Sequence, residues 1–328
     1  MNFETIYPEN ALILAPLSGF TDLPYRRSAR RHGGFFMFSE MVDAASLAHT
    51  PERGLALAAR GEDEKFLGVQ VVGADPEWLK RSCDELNARE FSLLDFNLGC
   101  PVAKVVKKGA GAALGRRVDV ALDRFRLLTQ YSRFPVTAKF RILTHDHPAP
   151  TVKLAVGLAE LGAKALTVHG RTLEDFYSGP VRADIIAAVR EAVKPYGIPV
   201  IANGGVRDRA TYDDLRRDSG CSRIMVAQGA MGNPWIFDSL LHGAPPPTLD
   251  EWKLEVRTHV AEMVELYGEK SALRQARKII HDYLKGRGFA AEYRSRASLL
   301  STFAEFEKWL DAAHPAADSA SRPFRVSA

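Results

Sequence analysis

The amino-acid sequence predicts a (β/α)8 TIM barrel followed by a smaller, all-helical carboxyl-terminal domain. Eight short runs of β-branched or aliphatic residues alternate with helix-period segments between residues 12 and 241. Such alternation is typical of a parallel sheet whose strands are joined by crossover helices. Eight units favour a closed barrel over an open doubly wound sheet, which usually has about five or six strands.

Each strand is predicted from an apolar run that ends at a polar residue or a turn. The eight predicted strands are Leu12 to Pro16, Phe36 to Met41, Leu67 to Val72, Leu93 to Asn97, Val136 to Arg141, Ala165 to His169, Pro199 to Asn203 and Arg223 to Ala227. Active sites of barrels lie at the carboxyl ends of the strands. Polar residues collect there and predict one shared pocket, formed by Ser18, Glu40, Gln70, Asn97, Cys100, Lys139, Arg141, His169, Arg171, Asn203 and Gln228.

The run Gly243-Ala244-Pro245-Pro246-Pro247 ends the alternation and predicts a domain boundary. We therefore expect a catalytic barrel over residues 1–243 and a helical domain over residues 244–328. Helical periods run from residue 248 to about 312. The last residues are rich in Ala, Ser and Pro, and we expect them to fray.

Composition narrows the class of protein. Hydrophobic residues make up 46% of the chain and charged residues 26%, as in ordinary globular proteins. No apolar run approaches the roughly 20 residues of a membrane span, and the amino terminus lacks the features of a signal peptide. Three widely spaced cysteines predict neither disulfides nor a metal site. We expect a cytoplasmic monomer.

Cys100 is the first candidate for chemistry. A lone cysteine is usually a small buried hydrophobe, but this one lies between Gly99 and Pro101 at a predicted strand end, where side chains often face a ligand. Its thiol could act as a nucleophile or, with an ordinary pKa of about 8.5, as a proton donor. Cys83 and Cys221 are interpreted as structural.

Two further strands end in side chains suited to an anion or a cofactor. Lys139 interrupts an apolar strand, which indicates contact with an anion or an electron-rich ring. An exposed strand end or a Schiff base are the alternatives for this lysine. His169 precedes Gly170 and Arg171, where glycine allows close backbone approach and arginine offers a forked donor.

Glycine-containing turns follow the predicted seventh and eighth strands, at Asn203-Gly204-Gly205 and from Ala227 to Gly232. In barrels these two loops commonly bind phosphate through backbone N–H groups. Ordinary tight turns are the alternative interpretation.

Two basic stretches indicate a polyanionic partner. The first runs from Lys104 to Arg117 and contains five basic residues and no acidic one. The second is one face of a predicted helix, whose opposite face is apolar. A solvated helix face is the usual alternative, but together the two stretches predict a track for nucleic acid. The basic face consists of Arg274, Arg277, Lys278, His281 and Lys285, and the apolar face of Ala276, Ile279, Ile280, Tyr283 and Leu284.

Six motifs, in order along the chain, resemble those of the FMN-dependent tRNA-dihydrouridine synthases. The segment from His281 to Gly286 is also similar to the helical domain of that family. The motifs are Ala15 to Asp22, Asn97 to Pro101, Lys139, His169 to Thr172, Ile201 to Gly204 and Gly232 to Phe237.

The resemblance implies an FMN-binding barrel and a helical domain that binds tRNA. It implies that NADPH reduces the flavin, that hydride passes to C6 of uracil, and that Cys100 protonates C5. The residues implied for the flavin are Gln70 and Lys139 at the isoalloxazine ring, His169 as a further contact, Asn203, Gly205, Ala227 and Gln228 at the phosphate end, and the main chain of Pro16, Leu17 and Ser18. Asn97, Arg141 and Arg171 would hold uracil or a nearby phosphate, and Arg274, Arg277, Lys278 and Lys285 would contact the tRNA backbone.

Two loops depart from the family pattern. Ala227-Gln228 stands where Gly-Arg is common, and Gly205 stands where Asp is frequent. Backbone N–H donors survive the first change, because alanine can line a phosphate loop at negative φ, but the charge of the arginine is lost.

Three other functions are compatible with the same residues. One is an FMN-dependent barrel oxidoreductase acting on a free pyrimidine base. Another is a lyase with Lys139 as its Schiff base, and a third is an RNA-binding protein without flavin. The sequence has no dinucleotide-binding fingerprint after a strand, so NADPH would dock transiently over the flavin.

Overall fold

The computed structural model describes residues 3–314 and divides the chain into two compact units. The first contains the residues up to Leu23 together with Phe35–Val206 and Ala210–Ala227. The second contains Pro24–Gly34, Arg207–Arg209 and the chain from Gln228 onward.

The first unit is a closed barrel of eight parallel strands in sequence order. The predicted (β/α)8 architecture is therefore confirmed, and each predicted strand corresponds to one in the structure. The strands are β1 Leu12–Leu14, β2 Phe36–Asp43, β3 Gly68–Val72, β4 Leu93–Leu98, β5 Val136–Arg141, β6 Leu166–His169, β7 Val200–Asn203 and β8 Arg223–Val226.

Helices cover the connections between the strands. The longer ones have an apolar stripe that is buried, such as Leu154, Ala155 and Leu158 in one crossover helix. In chain order the helices are α1 Phe3–Ile6, α2 Leu23–Arg31, α3 Ala44–His49, α4 Pro51–Leu57, α5 Pro76–Asn87, α6 Ala103–Val106, α7 Ala112–Gly115, α8 Val118–Tyr131, α9 Ala149–Glu160, α10 Ala183–Val193 and α11 Arg209–Ser219.

The strands are buried on both faces, which explains their near-continuous apolar sequences. Large side chains fill part of the core, including Phe36, Phe38 and Leu93. Ile6 and Tyr7, at and just after α1, pack into the same core. Apolar side chains therefore fill this part of the first unit, whereas Arg141, His169 and Asn203 are the last residues of their strands.

The second unit is helical, as predicted for the carboxyl-terminal region. Its helices after the barrel sequence are α12 Ile236–His242, α13 Leu249–Tyr267, α14 Glu269–Leu284, α15 Ala291–Arg296 and α16 Phe303–Asp311. Capping boxes begin α13 at Thr248 and α16 at Thr302, satisfying backbone N–H groups of their first turns. The predicted apolar face of α14 is buried, from Ala276 to Leu284.

The α2 segment joins this unit through ion pairs. Arg31 donates to Glu255 at 2.7 Å and to Glu262 at 2.7 Å, and His32 lies 3.1 Å from Glu255. Hydrogen bonds from these partners hold the pKa of the Glu255 carboxyl at about 2, against the effect of its burial. A segment between two barrel strands thus contributes to the helical unit.

The predicted boundary between the two domains at residue 243 stays a prediction. The residues that are predicted to fray at the carboxyl terminus lie mostly outside the described residues. No helix among residues 3–314 is both long and apolar enough to cross a membrane. The same residues contain no cluster of His, Cys, Asp and Glu side chains that could hold a metal ion.

Candidate active site

Strand register brings the predicted polar residues together on neighbouring strands. Asn97 on β4 is paired with Lys139 on β5, and Arg141 is paired with His169 on β6. His169 is in turn paired with Asn203 on β7. Because side chains alternate between the two faces of a strand, Lys139 and Arg141 point to the same side. The result is a band of amide, cationic and imidazole groups.

The turn that carries Cys100 is held from both sides. Asn97 Oδ1 accepts hydrogen bonds from the backbone N–H of Gly99 at 3.1 Å and of Cys100 at 2.8 Å. From the next strand, Arg141 Nε donates to the Gly99 carbonyl at 2.8 Å. The Cys100 backbone is therefore fixed by side chains of β4 and β5.

Opposing effects act on the Cys100 thiol. Burial raises its pKa above the ordinary value, while the Val102 backbone amide and the charges of Arg141 and Lys139 lower it. Burial outweighs them, so the pKa of the half-buried thiol is raised. A raised pKa keeps the proton on sulfur at neutral pH, which suits a proton donor better than a thiolate nucleophile. Cys83 and Cys221 are free and buried, consistent with a structural role.

Lys139 is oriented by an amide. Its Nζ donates to Asn203 Oδ1 at 2.9 Å, and Asn203 Nδ2 donates to the Met225 carbonyl at 2.8 Å. Since the carbonyl can only accept, it fixes which end of the Asn203 amide faces the lysine. Burial, reinforced by the positive charge of Arg141, lowers the pKa of Lys139 to about 8. The ammonium group therefore gains from any anion or electron-rich ring that approaches it.

His169 is buried and neutral. Burial, together with the charges of Lys139, Arg141 and Arg171, holds its pKa well below the ordinary value. Within residues 3–314 no group hydrogen-bonds to His169 Nε2, which is fully buried. A buried polar atom without a partner is uncommon and indicates a group supplied by a ligand.

The glycine turn after β7 lies against this histidine. Gly204 has φ +126°, and a Cβ atom there would lie 2.9 Å from His169 Cδ2. Gly205 has φ +73°, and a Cβ atom there would lie 3.1 Å from Val181 Cγ2. Both positions therefore require glycine, and Gly204 is buried against His169 while Gly205 is half-buried.

Asp95 is hydrogen-bonded to one predicted site residue, Gln70, and to Thr137, although no sequence pattern singled it out. Asp95 Oδ2 accepts from Gln70 Nε2 at 2.7 Å, and its Oδ1 accepts from Thr137 Oγ1 at 2.6 Å. Burial raises the pKa of Asp95 to about 6, against those hydrogen bonds and the charge of Lys139. An acidic residue two positions before Asn97, in a strand with no exposed residue, was the available signal.

Arg141 and Arg171 are engaged by backbone carbonyl groups. Arg141 Nη1 donates to the Thr172 carbonyl at 2.9 Å, and Arg171 Nε donates to the Gly179 carbonyl at 3.0 Å. The Arg141 guanidinium also lies 5.6 Å from the centre of the exposed Tyr177 ring, a residue that the sequence alone did not indicate. Arg141 thereby links the Cys100 turn to the loop after β6.

The loop after β1 is closed by Glu40, whose buried carboxylate accepts a hydrogen bond from the backbone of Gly19. Pro16 and Leu17 are half-buried and Ser18 is exposed in this loop. Ala227 directly follows β8 and, with Leu17, packs on the barrel core. Gln228 is exposed and begins a 3-10 turn in the second unit, Gln228–Ala230.

The predicted basic stretches are only partly available to a partner. In the first unit Lys104, Lys107 and Arg117 are exposed, whereas Lys108 pairs with Asp43 at 2.8 Å and Arg116 pairs with Glu174.

On α14, Arg274 and Lys278 are exposed, but Arg277 is half-buried and donates to the Leu300 carbonyl at 3.0 Å. Lys285 follows the end of α14 and pairs with Asp282. Fewer side chains of the predicted basic face are therefore exposed than the sequence pattern alone predicts.

The chain is similar to known proteins over most of its length. The family model described as dihydrouridine synthase matches residues 13–320. A tRNA-dihydrouridine synthase B from Pseudomonas aeruginosa is 34% identical over 301 residues, covering 89% of each chain. A probable tRNA-dihydrouridine synthase from Rickettsia conorii is 33% identical over 297 residues, covering 88% of this chain and 89% of its own.

Proposed function

Since the chain belongs to the dihydrouridine synthase family, we propose that it reduces specific uridines of tRNA to 5,6-dihydrouridine, with FMN as cofactor and NADPH as reductant. The single observation that carries the proposal is the half-buried Cys100 thiol just after a barrel strand, within electrostatic reach of Lys139 and Arg141 and with its pKa raised by burial. The curated relatives described above are named for the same activity.

The barrel residues fit an FMN molecule. His169 Nε2 has no hydrogen-bond partner among the described residues, and together with the adjacent turn at Gly204 and the half-buried Gly205 it supports contact with a phosphate group. Lys139, with its lowered pKa, suits an electron-rich ring. We propose that Gln70 and Lys139 contact the isoalloxazine ring and that His169 makes a further contact with FMN. The main chain of Pro16, Leu17 and Ser18 would lie behind the ring. The phosphate end of FMN would contact Asn203, Gly205, Ala227 and Gln228.

The chemistry divides between cofactor and protein. A bound FMN, reduced by NADPH, would supply the hydride for C6 of uracil. Cys100 supplies the proton for C5, and its raised pKa keeps that proton available at neutral pH. The nearby cations Lys139 and Arg141 favour the negative charge that develops on the uracil ring before protonation.

Substrate contacts follow from the same arrangement. We propose that Asn97, Arg141 and Arg171 hold the uracil or an adjacent phosphate. Asn97 and Arg141 already hydrogen-bond to the backbone of the Cys100 turn. Any contact that they make with the uracil would therefore also fix the position of the uracil relative to the thiol.

The helical region carries the proposed tRNA contacts. We propose that residues 244–328 form the tRNA-binding domain and residues 1–243 the catalytic domain. Arg274, Arg277, Lys278 and Lys285 would contact phosphates, which helps to offset the few kcal/mol needed to unstack a target base. A cytoplasmic location and a monomeric state belong to the same proposal.

Mapping dihydrouridine in tRNA from cells that lack this protein tests the proposed function. We expect loss at one or a few positions, restored by the wild-type gene and not by a Cys100→Ala gene. Unchanged dihydrouridine at every position would contradict the proposal.

A further inference from the structure

Asp95 is a buried carboxyl group that the proposed chemistry does not use. It lies in the middle of β4 with 2% of its surface exposed. Its register partners are Gln70 on β3 and Thr137 on β5, and both donate hydrogen bonds to it. Burying a carboxyl group is unfavourable, so its presence inside a barrel calls for a physical reason.

From Asp95 a chain of side-chain hydrogen bonds leads to the catalytic turn. Gln70 Nε2 donates to Asp95 Oδ2 at 2.7 Å, and Asn97 Nδ2 donates to Gln70 Oε1 at 2.7 Å. Asn97 Oδ1 then accepts from the backbone N–H of Cys100 at 2.8 Å and of Gly99 at 3.1 Å. Two amides thus connect the carboxyl group to the residue that carries the thiol.

The donors and acceptors in this series of hydrogen bonds can be arranged in only one order when Asp95 is ionised. An ionised carboxylate can only accept, so Gln70 must turn its NH2 group toward Asp95 and its oxygen toward Asn97. Asn97 must then turn its NH2 group toward Gln70, which leaves its oxygen for the Cys100 backbone. If the Asn97 amide were reversed, its NH2 group would face the N–H groups of Gly99 and Cys100.

We propose that Asp95 is a positioning residue, which fixes the Gln70 and Asn97 amides and thereby holds the Cys100 turn where its thiol meets the uracil ring. This role rests on the proposed function of Cys100. Asp95 acts only through other residues, and what it contributes is an acceptor at a fixed place. Its negative charge is not the required property.

Substitutions at position 95 can remove the negative charge and the hydrogen-bond acceptor separately. In Asp95→Asn the amide oxygen can still accept from Gln70, while its NH2 group faces the Thr137 hydroxyl, which can accept. In Asp95→Ala the acceptor is removed and Gln70 is released. Thr137→Ala is the matched control, because it removes the other hydrogen bond of the same carboxyl group and leaves the chain to Cys100 intact.

Two readouts are measured on each flavin-loaded variant, after its thermal unfolding and flavin spectrum have been recorded. The first is steady-state dihydrouridine formation on unmodified tRNA. The second is the alkylation rate of the Cys100 thiol by iodoacetamide, with Cys100→Ala as background. Cys83 and Cys221, with 1% and 2% of their surfaces exposed, contribute little to that rate.

For Asp95→Ala we expect kcat to fall about 100-fold, the usual effect of misplacing a catalytic group by about 1 Å, with an unchanged KM for tRNA. Its Cys100 alkylation rate should change severalfold. Asp95→Asn and Thr137→Ala should stay within about threefold of wild type in both readouts, because the hydrogen bonds from residue 95 through Gln70 and Asn97 to the Cys100 backbone remain intact. If Asp95→Ala does not fold, Asp95→Ser replaces it, because its shorter side chain cannot reach Gln70.

Wild-type values for Asp95→Ala in both readouts would overturn the proposal. An equal loss in Asp95→Asn and Asp95→Ala would also overturn it, because the charge would then be what matters. If the wild type itself forms no dihydrouridine, the proposed function fails separately. The alkylation rates would still decide whether Asp95 holds the Cys100 turn.

Discussion

At Cys100, burial and nearby positive charge act on the same thiol in opposite directions. Burial raises the pKa, and Arg141 and Lys139 lower it, with burial prevailing. A site built for a thiolate nucleophile would have the opposite balance, because such cysteines lie in electropositive surroundings that lower the pKa. The local physics therefore favours proton donation, in agreement with the role implied for family members.

We expect Cys100→Ala to separate the two halves of the reaction. The variant should bind FMN and oxidise NADPH at close to wild-type rates, because neither step needs the thiol. Dihydrouridine formation should fall by about 10²- to 10⁴-fold, the usual contribution of a general acid. Stopped-flow absorbance of the flavin and mass spectrometry of digested tRNA measure the two steps. Wild-type dihydrouridine formation by the variant would assign the proton to another donor.

Asp95 gives a pH-dependent prediction for stability. Burial raises its folded-state pKa to about 6, from an ordinary 3.8, against the charge of Lys139; Tyr7 also lies within electrostatic reach. Between these pH values the folded state holds a proton that the unfolded state has lost. Ionising the buried carboxyl therefore lowers the free energy of unfolding as the pH rises.

Asp95→Asn removes this effect. The free energy of unfolding of the variant, relative to wild type, should increase by up to about 3 kcal/mol between pH 4 and pH 7. Urea denaturation across that range measures the difference. Glu62→Gln, at an exposed loop position, is the control for the loss of one carboxyl group. A difference between Asp95→Asn and wild type that does not change with pH would mean that the pKa of Asp95 is not raised.

At the scale of elements, the turn after β7 combines backbone strain with close packing. An alanine at Gly204 would have to adopt φ +126° and place its Cβ 2.9 Å from His169 Cδ2. Gly162 has a similar requirement, φ +90°, but a Cβ atom there would have no other atom within 4 Å among the described residues. The two glycines therefore separate strain from close packing.

We expect Gly162→Ala and Gly204→Ala each to lower the free energy of unfolding by about 1–3 kcal/mol through strain. Only Gly204→Ala should also displace His169 and weaken FMN binding, by about tenfold or more, which corresponds to about 1.4 kcal/mol. Flavin fluorescence titration of the flavin-free proteins measures the affinity. Equal FMN affinities for the two variants would remove this turn from the flavin site.

Helix α14 gives a prediction for RNA binding. Arg274→Ala and Lys278→Ala should weaken tRNA binding and lower its salt dependence by about one unit of slope for each phosphate interaction removed. Arg277→Ala should in addition lower stability by about 1 kcal/mol, because Arg277 donates to the Leu300 carbonyl. Filter binding at several salt concentrations measures the slopes.

Lys308→Ala is the matched control for these variants, since Lys308 is exposed on α16 and the change removes the same charge. Its salt slope should equal that of wild type. If Arg274→Ala and Lys278→Ala behaved like the control, α14 would not contact tRNA.

The strands were predictable because their signal is local. A buried parallel strand is an apolar run, so each of the eight appears in the sequence within a few residues of its bounds. The longer extent of β2 was not predictable, since its register shifts between Phe38 and Met41 against β3. It was also not predictable that Pro24–Gly34 belongs to the helical unit, because the ion pair between Arg31 and Glu255 joins residues far apart in the sequence.

The site was predictable where strand ends alone define it. Lys139, His169 and Asn203 follow from the strand assignment, and register places them on neighbouring strands. Asp95 was missed because its significance lies in hydrogen bonds to Gln70 and Thr137 on two other strands. Such hydrogen bonds between side chains leave no periodic signal in the sequence.

For the whole molecule, the residues proposed for catalysis and the second of the two basic stretches lie in different parts of the chain. The residues proposed for catalysis belong to the barrel, while the segment from Lys270 to Arg296 contains eight basic and two acidic residues within the helical unit. This division supports an enzyme whose substrate is much larger than the base it modifies, because a free pyrimidine would need no such basic surface.

The proposed activity is tested by incubating the purified, flavin-loaded protein with NADPH and tRNA lacking dihydrouridine, and then measuring dihydrouridine by mass spectrometry. We predict that dihydrouridine forms at defined positions of the tRNA and not from free uracil. If the free base were reduced instead and the tRNA contained no dihydrouridine, the protein would not be a tRNA-modifying enzyme.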